Sequence, residues 1–314
     1  MTNVGVLFSK PLTDIDPLSH IGSKYSVYTR LLDFMGQKGW DVFVFTRKTY
    51  KGNGVFEGAW QYRDGKFKLE NGEVKADLVY DRSAGVNFPP EGDNFVTWVN
   101  SLDFKVLAWD KWAGYKKIGQ YMPQTVWIES QEEVKEAVSK IKSDWVVLKP
   151  FNGLKGLGIF IGPKEEAIDF KLDPKYKNYI AQEFVDTSKG IDGVTAGMHD
   201  IRVAIVNGKA VWCHVRIPAE GSFKANAAQG GELKELDYTK VPESIKKIVE
   251  EVSEVFYKEY DNPVYSLDFG IMEGKPYIFE INDQIGFPKW EMKNRDPFLT
   301  ELIKNFEMKL FTRH

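Results

Sequence analysis

The sequence predicts an α/β protein: an N-terminal parallel α/β domain, then a part of α+β character built from hairpins. Three observations predict this. Strand-like apolar runs alternate with helical spacing over the first hundred residues. Hairpin turn signals replace that alternation beyond about residue 110. Finally, 43% of the 314 residues are hydrophobic, which supports a sizeable core.

The elements follow in order. "VGVLF" (4–8) reads as a first strand, and "KYSVYTRLLDFMGQKG" (24–39) has helical spacing that stops at Gly39. "WDVFVFT" (40–46) is a strand, 55–74 alternates around Asp64-Gly65 as a hairpin, and "ADLVYDR" (76–82) is a strand. The segment 110–122 reads as a helix, 124–129 as a strand, and 130–141 as a helix with Ser130 as N-cap and Glu133 completing a capping box. Strands are expected at 145–150, 157–162 and 179–185. A hairpin over 199–217 turns at Asn207-Gly208, and 241–260 is an amphipathic helix with Ile245, Val249, Val252 and Phe256 on one face. A last hairpin spans 264–282, and the tail from Pro297 is helical. The change of pattern near 105–110 divides the chain into domains 1–108 and 109–314.

Composition excludes several classes. A net charge of −3 with well-mixed signs is unlike a nucleic-acid-binding surface. The single cysteine, Cys213, rules out an intramolecular disulfide and a cysteine-based zinc site; within "AVWCHVRI" it reads as a small buried residue. No apolar run approaches 18 residues, and the N-terminus lacks the signal-peptide pattern. A cytoplasmic protein with no membrane partner is the expectation. Tryptophans Trp98, Trp109 and Trp112, near the expected domain junction, read as core.

Chemistry concentrates in "VVLKPFNGLKGLGIFIG" (146–162). Gly153, Gly156 and Gly158 crowd beside Lys149 and Lys155, as glycines do where backbone must approach a ligand or turn with positive φ. The pattern is neither a P-loop nor a dinucleotide fingerprint, because the loop joins two antiparallel strands. Two readings stay open from the loop alone: an ordinary glycine-rich hairpin, or a flap presenting N–H groups to phosphate. Lys149 ends an apolar strand and Lys111 opens a helix, both as point charges suited to phosphate. In "FEIN", Glu280 and Asn282 are two apart and project together; the paired strand "SLDFGI" can bring Asp268 beside them. Two carboxylates and an amide oxygen are hard ligands suited to Mg²⁺ bridging nucleotide phosphates. Asp200 and Arg202 are likewise two apart, and Arg216 ends the next strand, where arginines could stabilise a transferring phosphoryl group or form surface ion pairs.

The ordered set "DKW", "VVLKPFNGLKGLGI", "YIAQEFV", "HDIRVAIVNGKAV", "VRIPAEGSFKANAAQGG", "SLDFGI" and "FEIN" resembles the ATP-grasp superfamily of carboxylate–amine ligases over residues 110–282. "RIPAEGSFKANAAQGG" is similar to the segment in prokaryotic glutathione synthetases and in ligases that add glutamate to protein tails. The resemblance implies an ATP-grasp fold after a pre-ATP-grasp-like domain. The lid subdomain would lie within 109–186, and 187–314 would be the metal- and substrate-binding part. It implies that Lys111, Lys149 and Lys155 contact nucleotide phosphates under a flap containing Gly153, Gly156 and Gly158. Gln182, Glu183, Phe184 and Val185 would bind adenine, and Asp200 the ribose or nucleotide. Asp268, Glu280 and Asn282 would hold two Mg²⁺ ions, with Mn²⁺ as a substitute. Arg202, Arg216 and Asn226 would lie near the γ-phosphate and the acceptor carboxylate.

The implied reaction phosphorylates a substrate carboxylate to an acyl phosphate, which an amine attacks, releasing phosphate. Kinase and non-catalytic nucleotide-binding readings compete with it. The partners would be a small-molecule or peptide carboxylate and an amine or amino acid, with homo-oligomers common among relatives. The chain departs from glutathione synthetases after "FEIN", where "DQIGFPKW" replaces a small polar continuation expected to shape the acceptor pocket. The stretch 186–198 is also longer than the corresponding connection, and Lys224 stands where relatives often carry Arg.

Overall fold

A computed structural model describes residues 2–11, 13, 15–153, 156–219 and 231–312. The first sheet holds β1 (Asn3–Phe8), β2 (Asp41–Thr46), β3 (Tyr50–Gly52), β4 (Val55–Arg63), β5 (Lys66–Lys75), β6 (Leu78–Asp81) and β7 (Thr97–Val99). Its order is β3-β4-β2-β1-β6-β7, with β5 paired to β4. β2, β1, β6 and β7 run parallel, as the alternating pattern predicts, and the β4–β5 hairpin turns at Asp64-Gly65. Helix α1 (Tyr25–Gln37) joins β1 to β2 and buries Val27, Leu31, Leu32 and Met35 at helical spacing.

Two helices follow. α2 (Leu102–Trp109) is capped by Ser101, and α3 (Lys111–Ile118) by Asp110, whose carboxylate accepts from the N–H groups of Trp112 and Ala113 at 2.9 and 3.0 Å. The second sheet is antiparallel and comprises β8 (Thr125–Ile128), β9 (Trp145–Pro150), β10 (Phe160–Pro163) and β11 (Tyr179–Glu183), in the order β10-β9-β11-β8. Helices α4 (Val134–Lys140) and α5 (Lys164–Ala167) cover it. The capping box forms only in part. Residues 131–133 make a 3-10 turn before α4, Ser130 does not cap, and Glu133 instead accepts from the Glu129 N–H at 2.8 Å.

The third sheet contains β12 (Asp200–Val206), β13 (Lys209–Ile217), β14 (Glu232–Leu236), β15 (Tyr265–Met272) and β16 (Lys275–Asn282), ordered β14-β13-β12-β15-β16 and antiparallel throughout. Its strands alternate cleanly. Ile201, Val203 and Ile205 face helix α6 (Glu243–Glu259) in one core, while Ala204 and Val206 face the other way. That second face shares a core with α1, β1 and α7 (Arg295–Phe311), so α7 packs against the N-terminal sheet. Ile285 and Phe287 complete this seam: Phe287 stacks on Tyr28 with ring centroids 4.7 Å apart, and the Arg82 guanidinium donates to the Ile285 carbonyl at 2.8 Å. The departure after "FEIN" therefore serves packing between the two parts at these two positions. Trp98 and Cys213 are core residues as expected, and burial pushes the Cys213 thiol up to about 12. No helix among the described residues is long and apolar enough to cross a membrane.

Candidate functional site

A cavity of about 400 Å³ lies between the second and third sheets. It gathers Lys111, Lys149, Gly153, Gly156, Gln182, Glu183, Phe184, Val185, Asp200, Arg202, Arg216, Asp268, Glu280 and Asn282, residues separated by up to 171 positions (282 − 111) in the chain. Gly158 lies in the same β9–β10 loop, while Lys155 and Asn226 fall outside the described residues.

The glycine loop connects antiparallel strands, with Phe160 opposite Leu148. Gly156 and Gly158 adopt φ of 72° and 70°, the left-handed region that glycine alone enters at little cost. A Cβ on Gly158 would also meet Tyr176 at 2.9 Å and the Tyr179 hydroxyl at 3.0 Å. Lys111 Nζ donates to the Gly153 carbonyl at 3.0 Å and pairs with Glu280 Oε1 at 3.1 Å, which ties the loop to β16. Lys149 projects from β9 and donates to Gln182 Oε1 at 2.8 Å; Gln182 is buried and itself donates to Thr125 at 2.8 Å. Burial, with Lys111 nearby, holds the Lys149 ammonium down to about 8, against the opposing pull of Glu280 and Asp268.

On the third sheet, strand register assembles an ion network. Arg202 lies opposite Asp268, which lies opposite Glu280, while Asp200 lies opposite Arg216. Arg202 binds Asp268 through two hydrogen bonds of 2.6 and 2.7 Å. Arg216 binds Asp200 at 2.5 and 2.8 Å and reaches Asp268 at 2.6 Å. Burial alone would raise Asp268, but the two guanidiniums overturn that and hold it well below the carboxylate range. Burial pushes Asp200 up, aided by the Asp268 carboxylate and opposed by Arg216. His214 backs the network from β13, and burial with the two arginines pushes it down to about 3, so it is neutral.

The donor chemistry bears on a divalent ion. Among the described residues, no three His, Cys, Asp or Glu side chains come together to hold a metal on their own. Both Asp268 oxygens accept from arginine, Glu280 Oε1 meets Lys111, and the Asn282 amide nitrogen is buried without a partner. Such a set fits a hard cation that takes most of its ligands from phosphate and water.

Sequence reasoning missed several wall residues. Phe279 enters the wall because a bulge places Asp268 opposite Glu280 but Phe269 opposite Ile278, leaving Phe279 as the extra residue. Gly270 makes room for it: a Cβ there would sit 2.1 Å from Phe279 Cζ. Thr187, Met198 and His199 also line the cavity, and the first two belong to the long 186–198 stretch. The doubled signal of a glycine opposite an aromatic could have pointed to Phe279; nothing local marks Met198. At the base end, the Glu183 N–H donates to Gln124 and the Phe184 N–H to Trp145, so two of the three N–H groups of 183–185 are already bonded.

Comparison with known proteins completes the picture. A family model described as the RimK-like ATP-grasp domain matches residues 104–304. A probable alpha-L-glutamate ligase of Psychromonas ingrahamii is 28% identical over 124 residues, covering 38% of each chain. Another of that name, from Parasynechococcus marenigrum, is 24% identical over 61% of this chain and 39% of its own. The matches thus span well under two thirds of these curated relatives. Among solved structures, D-alanyl-alanine synthetase A of Vibrio cholerae superposes with a TM-score of 0.63 at 13% identity over 99% of both chains. A RimK domain ATP-grasp protein of Sphaerobacter thermophilus gives 0.60 at 12% identity, over 97% of this chain and 99% of that one. The fold is ATP-grasp, and the chain belongs to the RimK-like ATP-grasp family.

Proposed function

We propose that this chain is an ATP-dependent carboxylate–amine ligase that forms an amide or peptide bond through an acyl phosphate. The observation that carries the reading is the single cavity that brings Lys111, Lys149 and the glycine loop against Arg202, Arg216, Asp268, Glu280 and Asn282. It has cations for phosphates at one wall and a carboxylate–arginine network at the other. The names of the matched relatives, glutamate ligases, support the reaction class.

Residues take roles along the cavity. Lys149, positioned by Gln182, and Lys111, positioned by Glu280, bind the β- and γ-phosphates; the loop with Gly153, Gly156 and Gly158 closes over them and excludes water. Phe184 and Val185 face the base, with Phe279 as an apolar wall. Arg202 and Arg216, held by Asp268 and Asp200, stand ready to neutralise charge on the phosphoryl group and on the oxyanion formed when the amine adds. Glu280 and Asn282, beside Asp268, would hold Mg²⁺ (two ions in the full complex, with Mn²⁺ as a substitute), which supplies charge neutralisation on the phosphates. Water must be kept out because it would hydrolyse the acyl phosphate.

The test is ADP release with ATP and Mg²⁺ across a matrix of amino acids, γ-glutamyl dipeptides and short peptides, with product masses read in parallel. Stoichiometric ADP and a product one water lighter than the summed substrates establish the ligase. ADP with a phosphorylated acid and no condensation replaces it with a kinase.

A further inference from the structure

His199 stands immediately before β12 and lines the cavity. Its main chain is pinned: the His199 N–H donates to Thr187 Oγ1 at 3.0 Å, and the Thr187 hydroxyl donates to the His199 carbonyl at 2.9 Å. Its ring is oriented too. Nδ1 lies 3.0 Å from the Gly197 carbonyl, which can only accept, so Nδ1 carries the proton. Nε2 is therefore a lone-pair acceptor. It is shielded from solvent and has no hydrogen-bond partner, in a residue only 3% exposed. Burial also lowers the pKa, which keeps the ring neutral. A buried acceptor left unmade costs about 1–3 kcal/mol, so this arrangement is explained if a ligand donor completes it.

Three features narrow the donor. Phosphate oxygens at neutral pH offer none. The neighbouring Asp200, where the family resemblance would put the ribose contact, has both oxygens bonded to Arg216. His199 also sits between the base end of the cavity, at Glu183, Phe184 and Val185, and the phosphate end, at Lys149 and Asp268. The part of a nucleotide between base and phosphates is the sugar. We propose that His199 Nε2 accepts a hydrogen bond from a ribose hydroxyl and so selects ribonucleotides over deoxyribonucleotides, an inference that rests on the nucleotide reading of the cavity.

The experiment is calorimetric titration of the intact protein with ATP, 2′-deoxyATP, 3′-deoxyATP and inosine triphosphate, in Mg²⁺ and without acid or amine. One deoxynucleotide should bind the wild-type protein about 3- to 10-fold more weakly than ATP, the value of one neutral hydrogen bond. His199→Phe should lose that factor for ATP and no longer distinguish the pair, while melting no lower without nucleotide, because it removes a buried unpartnered atom. His199→Gln, which offers an amide oxygen, should recover part of the discrimination. Equal binding of ATP and both deoxynucleotides, or discrimination that survives His199→Phe, overturns the assignment. A penalty confined to inosine triphosphate overturns it in favour of the base amine. Absence of any ATP binding by the wild-type protein overturns the nucleotide reading itself, a distinguishable result.

Discussion

Replacing Lys149 with Met separates a ligand-binding charge from a structural one. In the free protein the ammonium is held at about 8 rather than 10.5, a difference worth at most about 3 kcal/mol of strain on the charged form. The side chain is partly accessible, so solvent screening reduces this to about 1–2 kcal/mol. Removing the cation relieves that strain but strips Gln182 Oε1 of its donor, a loss of about 1–3 kcal/mol. The two nearly cancel, so Lys149→Met should unfold in urea within about 1 kcal/mol of the wild type. Nucleotide binding has no such compensation. A lost charge-assisted bond to phosphate is worth about 1.5–3 kcal/mol, and with Lys111 still present the ATP affinity should fall about 10- to 100-fold. Calorimetric titration with ATP alongside urea unfolding reads both quantities. Unchanged ATP affinity, or a stability loss large enough to account for the binding defect, refutes the reasoning.

Four more predictions follow from the same geometry. Phosphate opposes the depression of Lys149, so ATP binding should take up protons near pH 8, and wild-type affinity should fall as pH rises through that value while Lys149→Met stays flat; titrations in buffers of different ionisation enthalpy measure this. Gly270→Ala places a methyl 2.1 Å from Phe279 and 2.8 Å from Thr187 Cγ2, and should weaken ATP binding by displacing Phe279 from the wall, read by titration with far-UV circular dichroism unchanged. Asp268 has its pKa depressed in the folded state, so its contribution is present above 3.8 and is lost as pH falls below it; Asp268→Asn should be about 3–5 kcal/mol less stable at neutral pH and show a shallower acid limb in urea melts between pH 2.5 and 5. Lys105→Met leaves the buried Asp81 carboxylate without its cation and should cost about 3–5 kcal/mol, measured as a lower urea midpoint.

Much of this architecture could be read from residue order. Period-two alternation placed Glu280 with Asn282 and Asp200 with Arg202 on one face, and the register between strands then brought Arg202, Asp268 and Glu280 into a row. Asn207-Gly208 and Asp64-Gly65 turn where expected, with Asn207 at φ of 54° and Asp64 at 51°. Helix α2 escaped notice because its apolar residues, Phe104, Val106, Leu107 and Ala108, do not fall in a single stripe. The bulge that exposes Phe279 also escaped, because a register shift is a property of two paired strands. Pairing preferences were the least readable. Two arginines could have faced a ligand, but folding them beside Asp200 and Asp268 made a closed network, and that left the neighbouring His199 as the buried acceptor. Ile285 and Phe287 looked like pocket residues beside "FEIN"; the seam with Tyr28 and Arg82 buries them instead.

The central claim is that the cavity activates a carboxylate by phosphorylation before an amine displaces the phosphate. The most direct measurement uses an acid that supports ADP release, labelled with ¹⁸O in both carboxylate oxygens, and follows the label by mass spectrometry. The account predicts one ¹⁸O atom in each inorganic phosphate released, with the other retained in the amide. Inorganic phosphate free of ¹⁸O, with amide formed and both labels accounted for elsewhere, would contradict the acyl phosphate and the reading of the site built on it.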